Sequence, residues 1–87
     1  MVSQKITIKN EAGLHARPAG VLSKAAGKCE SEVTIIANGK KYQAKSILNI
    51  MAAAIKCGTE IELRCDGTNE REELKHLVEL IESGLGE

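Results

Sequence analysis

Four short stretches of the chain alternate apolar with polar residues, and none of them is apolar on both sides. Val2, Gln4, Ile6 and Ile8 alternate with Ser3, Lys5, Thr7 and Lys9. Cys29, Ser31, Val33, Ile35 and Ala37 form a second run, Lys40 to Ala44 a third, and Ile61, Leu63 and Cys65 alternate with Glu60, Glu62, Arg64 and Asp66 in the last. A period of two marks a strand with one buried face. A sheet built from such strands keeps one side in water, so it is antiparallel or mixed. Asn38-Gly39 joins the second and third runs as a tight hairpin, because both central positions of the favoured turn need positive φ.

Between these runs the period changes to that of a helix. From about Ala16, the residues Ala19, Leu22 and Ala26 recur at helical spacing, with Val21 and Ala25 alongside and Gly27 as the stop. Ser46 opens the segment SILNIMAAAI as its N-cap, and Gly58 closes it. Asn69, with Glu72 three residues on, is close to a capping box ahead of the stripe Leu74, Leu77, Val78 and Ile81, and Gly84 is the C-cap. The order is β-α-β-β-α-β-α. Three helices have one apolar sheet face to cover, which gives a two-layer open-faced sandwich of the α/β (α+β) class. At 87 residues a single domain spanning 1–87 is expected, and no repeat, linker or low-complexity segment interrupts it.

A core of this size is aliphatic by necessity, since the chain has no Phe, no Trp and one Tyr. About 60–65% of the unfolded surface can be buried, too little to enclose a dry catalytic cavity. Any chemistry therefore belongs on the surface, with a partner completing the site. Net charge is zero but unevenly spread: residues 1–56 carry nine Lys/Arg and three Glu (+6), residues 57–87 three Lys/Arg and nine Asp/Glu (−6). Such asymmetry suits an anionic partner or group. Neutral charge and scarce aromatics argue against direct nucleic-acid binding. Cys29, Cys57 and Cys65 are odd in number and form no CxxC, so neither a disulfide framework nor a zinc site is expected. Reduced thiols and a start without a signal-peptide core point to the cytoplasm. The longest apolar run, Ile50 to Ile55, is far too short to insert in a membrane.

The segment AGLHARPAG, residues 12–20, holds one of two histidines and the only proline. A neutral imidazole is a good nucleophile near pH 7 and can accept a phosphoryl group directly. His15 at the entrance of the first helix would place that phosphate against the free amides around Ala16 and the positive helix end. Arg17 can add forked, charge-assisted hydrogen bonds. Pro18 is tolerated in the first turn, where its missing N–H costs little. The residues make His15 and Arg17 the catalytic candidates, with Ala16 and Arg17 binding phosphate.

GLHARPA at 13–19 resembles the active-site motif of the HPr family, the histidine-containing phosphocarriers of the bacterial phosphoenolpyruvate:sugar phosphotransferase system. AKSILNIM at 44–51 is similar to the Ser46 region of its Gram-positive members, and the resemblance extends over the whole chain to the ending GLGE. It implies a four-stranded antiparallel sheet. It also implies that His15 takes phosphate from phosphorylated enzyme I and passes it to the IIA unit of sugar permeases. Ser46 becomes a regulatory phosphorylation site for an HPr kinase/phosphorylase, linked to carbon catabolite repression and a catabolite control protein. Ala12 lacks a hydroxyl that some members carry, Gly20 replaces an expected alanine, and Ala54 stands where many members have glycine. Ile47 and Leu48 differ conservatively from common choices, which bears on partner preference.

SILNIMAAAI is nearly apolar all round, yet a short helix cannot bury every side. Ile50 and Ala54 are expected to join the core, leaving Ile47, Leu48 and Met51 as an exposed patch of the kind that docks partners. Lys24 and Lys45, with Lys28, are candidate docking charges; His76 and Tyr42 are read as surface or sheet residues. GVLSKAAGKC, residues 20–29, has the wrong spacing for a P-loop. No cofactor and no metal are expected. The reading is a monomeric half-enzyme that depends on partner enzymes rather than a stand-alone catalyst. Its rivals are a purely regulatory Ser46-phosphorylated corepressor, which His15 argues against as the sole role, and a metal binder, which the scattered histidines and cysteines disfavour.

Overall fold

The alternating runs pair into one four-stranded sheet in a computed structural model that describes residues 1–86, leaving Glu87 of the GLGE ending outside the described residues. The elements are β1 (Val2–Thr7), α1 (Ala16–Gly27), β2 (Glu32–Ala37), β3 (Lys40–Gln43), α2 (Ile47–Ala52), β4 (Glu60–Asp66) and α3 (Glu70–Glu82), in the order β-α-β-β-α-β-α. The sheet order is β1-β4-β2-β3, and every neighbouring pair is antiparallel. Ile6 lies opposite Ile61, Val33 opposite Cys65, and Ile35 between Leu63 and Tyr42. This register puts the buried residues of β1, β2 and β4 on one side, under the helices. The other side carries Lys5, Glu62, Arg64 and Thr34, with an Arg64–Glu62 ion pair at 3.2 Å. The hairpin turn has Asn38 at φ 52° and Gly39 at φ 77°, as its type requires.

The helix stripes bury as their spacing demands: Ala19, Leu22 and Ala26 of α1, and Leu74, Leu77, Val78 and Ile81 of α3. They join Ile8, Leu14, Ile50, Ile55 and Leu85 in one aliphatic cluster. Ser83 caps α3, and Gly84 is the first left-handed residue after it, at φ 97°. Gly84 N–H donates to the Ile81 carbonyl and Leu85 N–H to the Leu80 carbonyl, the paired bonds of a Schellman turn, and Leu85 is wholly buried.

Several details differ from the sequence expectation: β1 ends at Thr7 and β3 at Gln43, Ser83 and not Gly84 is the C-cap of α3, and three further departures have a visible cause. β2 begins at Glu32 and leaves Cys29 and Ser31 outside, because the Glu73 carboxylate of α3 takes the amides of Glu30 (2.8 Å) and Ser31 (3.0 Å) and the Ser31 hydroxyl. Those contacts hold the Glu73 carboxyl below its usual range, the Ser31 hydroxyl most of all. The capping box at Asn69 does not form: its side chain makes no cap bond and donates to the Glu30 carboxylate at 3.4 Å, while Glu70 accepts from Gly67 N–H and from the N-terminal amine at 2.9 Å. α2 stops at Ala52, well before Gly58, since Ala54 turns the chain at φ 51°. That turn exposes Ala54 and swings Ile55 inward, so Ala53 and Ile55 join Ile50 in the core where Ala54 was expected.

Candidate functional site

The backbone between β1 and α1 is held at both ends before it reaches His15. Ile8 extends the pairing beyond β1, donating to the Thr59 carbonyl (3.0 Å) and accepting from Gly58 N–H (2.8 Å). A tight turn follows, with Gly13 N–H on the Asn10 carbonyl at 2.8 Å. Leu14 then donates to the Ile55 carbonyl at 2.9 Å and buries its side chain. Gly13 makes that approach possible: at φ 70°, a Cβ here would sit 2.2 Å from the Ile55 oxygen. With Leu14 drawn inward, His15 emerges on the surface.

His15 is the N-cap of α1, extended at φ −77° and ψ −171°, and its carbonyl accepts Ala19 N–H at 2.9 Å. Pro18 has no amide to offer. The first-turn amides without an intrahelical partner are therefore those of Ala16 and Arg17, both on exposed residues. No acidic side chain occupies the first turn of α1, so the helix contributes no negative charge of its own to offset its positive end. The arrangement sets an exposed imidazole at the amide end of a helix, with an exposed arginine two residues on. An anion carried on the ring would meet the positive end of that helix.

Two shallow depressions meet at His15. One, of about 470 Å³, is lined by Lys9, Asn10, Glu11, Ala12, His15 and Gly84. The other, of about 240 Å³, brings Ala12, Leu14, Met51, Ala54 and Lys56 to the same ring. Lys9 and Lys56 thus flank His15, a placement sequence reasoning missed; only their membership of the basic half hinted at it.

α2 packs beside α1. The Ile47 side chain lies against Gly20, 3.5 Å from where a Cβ would be. Ile47, Leu48 and Met51 are 38%, 76% and 44% exposed, forming an apolar ridge that reaches His15 through Met51. Ser46 is the N-cap of α2, and its hydroxyl accepts Asn49 N–H at 3.2 Å. Lys24 is exposed in the last turn of α1, where it shares a groove with Val21, Lys28 and His76. Lys45 donates to the Cys29 carbonyl at 3.1 Å. That is the far end of α1, about 18 Å from His15 at 1.5 Å rise per residue.

The thiols lie in three different settings: Cys57 is exposed, Cys29 half-buried and Cys65 buried. Burial pushes the Cys65 thiol up to about 11. Among the described residues, no group of three or more His, Cys, Asp or Glu could hold a metal, and no helix is long and apolar enough to cross a membrane.

Comparison with known proteins adds a family. The profile described as "PTS HPr component phosphorylation site" matches residues 2–83. Phosphocarrier protein HPr of Mycoplasma capricolum is 56% identical over 62 residues, covering 71% of this chain and 70% of that protein. HPr-like protein Crh of Bacillus subtilis is 38% identical over 82 residues, 94% of this chain and 96% of its own. The crystal structure of HPr-C-His from Thermoanaerobacter tengcongensis superposes with a TM-score of 0.95 at 42% identity, covering 100% of this chain and 98% of that one.

Proposed function

The chain belongs to the HPr family of phosphotransferase-system phosphocarriers, and from that premise we propose that His15 is the phosphoryl acceptor and donor of this protein. Phosphorylated enzyme I supplies the group. An imidazole nitrogen attacks phosphorus, the N–P bond forms as the bond to the donor's leaving group breaks, and the Arg17 guanidinium with the Ala16 and Arg17 amides stabilises the charge on the phosphoryl oxygens. The same face then meets the IIA unit of a sugar permease, and the transfer repeats with the chain as donor. One face serves both partners in turn, so the working form is a monomer. Each partner contributes the rest of the transfer site, which this open surface cannot enclose. The observation that carries the reading is the exposed N-cap position of His15, at the head of a helix whose first turn presents exposed Ala16 and Arg17 and holds no acidic side chain.

The test is incubation with enzyme I and phosphoenolpyruvate, followed by intact-mass analysis before and after acid treatment. One acid-labile phosphate is expected, and none on His15→Ala with its fold retained. Labelling of His15→Ala at the normal rate would overturn the assignment.

A second role, regulation through Ser46, is favoured by one placement: Ser46 opens the helix whose exposed Ile47, Leu48 and Met51 run up to His15. Phosphorylation there by an HPr kinase/phosphorylase would place negative charge beside the docking ridge and mark the chain for a catabolite control protein. Incubation with that kinase and ATP should add one acid-stable phosphate to the wild type and none to Ser46→Ala.

A further inference from the structure

The turn that leads to His15 is tied to the end of α3 through the side chain of Asn10. Asn10 Nδ2 donates to the Gly84 carbonyl at 2.8 Å, across 74 positions of sequence. Asn10 is buried, and the same residue's carbonyl closes the turn by accepting Gly13 N–H. Its acceptor is rigid, because Gly84 sits in the Schellman turn anchored by the buried Leu85. Asn10, Gly84 and His15 line one depression.

We propose that Asn10 is a positioning residue for phosphoryl transfer: its amide fixes the 10–13 turn against α3 and so fixes the direction in which His15 faces an incoming phosphoryl group. The proposal rests on the carrier reading. The anchor differs in kind from the core contacts around it. Leu14 remains held by Ile55 and by its own burial when Asn10 changes. The fold therefore survives, while the turn gains freedom between Ile8 and Leu14. Glu11 and Ala12, at the turn's tip, are exposed and offer no buried contact in compensation. A side chain needs both an N–H donor and this short reach to make the bond. Aspartate has the shape but only acceptors, which would face a carbonyl oxygen.

Positional slack of a fraction of an ångström at a reacting atom lowers transfer by about tenfold. It leaves the docking ridge on α2 untouched, so the loss belongs in the transfer step and not in partner affinity.

The experiment compares wild type, Asn10→Ala, Asn10→Asp and Ser83→Ala as phosphoryl acceptors from phosphorylated enzyme I. Ser83 donates to the Leu80 carbonyl at 2.7 Å, a bond in the same turn of α3 that does not reach the His15 loop. Both Asn10 variants should lose about tenfold in the single-turnover rate with KM changed less than about twofold. Their His15 ring resonances should shift in nitrogen-edited spectra of the free protein, and Ser83→Ala should match wild type in both respects. Rates within about twofold of wild type with unmoved ring resonances would overturn the proposal. So would an equal loss in Ser83→Ala, or failure of both Asn10 variants to fold, since Asn10 would then support α3 or the whole fold. If wild type takes no acid-labile phosphate, the carrier reading fails separately, and the ring resonances still decide whether Asn10 orients His15.

Discussion

Gly13→Ala should destabilise the protein far more than Gly39→Ala, although both glycines have nearly the same backbone angle, φ 70° and 77°. An L-residue in the left-handed region costs roughly 1–2 kcal/mol, partly offset by about 0.4–1 kcal/mol from the stiffer unfolded chain. A methyl group added at Gly39 would meet nothing within 4 Å, so that small remainder is its whole penalty. At Gly13 the methyl would stand 2.2 Å from the Ile55 oxygen and 2.8 Å from the Lys56 Cα, and both neighbours are backbone. The loop must back away. Losing the Leu14–Ile55 hydrogen bond costs about 0.5–1.5 kcal/mol, and exposing even half of Leu14 adds roughly 1 kcal/mol. The excess of Gly13→Ala over Gly39→Ala is therefore about 1.5–2.5 kcal/mol, or roughly 6–20 °C in Tm for a chain this size. Urea unfolding followed by far-ultraviolet circular dichroism measures it, as a chain without Trp gives little fluorescence signal. Equal losses at the two positions would refute the argument that close backbone approach, and not φ alone, demands glycine before His15.

Arg17→Ala should lower the transfer rate from enzyme I by about 10- to 150-fold, the worth of one charged hydrogen bond to a transition state, with Arg17→Lys rescuing only in part; unchanged kinetics would reduce Arg17 to a surface charge. Ser46→Asp should slow His15 labelling while the melting temperature holds, because each unit pair of like charge at about 8 Å costs roughly 2 kcal/mol at an effective dielectric near 20. The inhibition should shrink as salt rises, and a salt-independent block would contradict it. Alkylation at pH 8 should modify Cys57 first and reach Cys65 only on unfolding, as intact mass against time will tell. The raised Cys65 pKa means the folded state keeps a proton that the unfolded chain releases above its ordinary 9, so this contribution to stability is full below pH 9 and is lost as pH rises towards about 11. Cys65→Val should flatten that alkaline decline, and an unchanged slope would remove Cys65 as its cause.

The period-two runs and the stripes of α1 and α3 were legible because burial on one face leaves a repeating mark in the sequence. Asn38-Gly39 and GLHARPA were legible because turn and cap chemistry act over a few residues. What escaped was set by partners distant in sequence. Ser31 reads as a strand residue until Glu73, 42 positions on, claims its amide. Asn69 and Glu72 have a capping spacing, but the Asn69 amide turns to the Glu30 carboxylate, 39 positions back. The end of α2 was hidden for another reason: Ala54 takes a left-handed conformation without glycine to announce it. The pairing of Lys9 with Lys56 around His15, and the reach of Asn10 to Gly84, likewise depend on how the finished layers close.

The sheet order has a consequence for synthesis. β4 lies between β1 and β2, yet it is the last strand made, so β1 has no neighbour to pair with until residues 60–66 have emerged. The loop of His15 waits even longer: it leans on Ile55, on Thr59 and finally on Gly84. A chain still on the ribosome can display the HARP sequence but not the HARP geometry. If His15 is the phosphoryl acceptor, a nascent chain arrested before Gly84 should be a poor one, and unfinished copies would stay out of phosphoryl traffic without any dedicated safeguard.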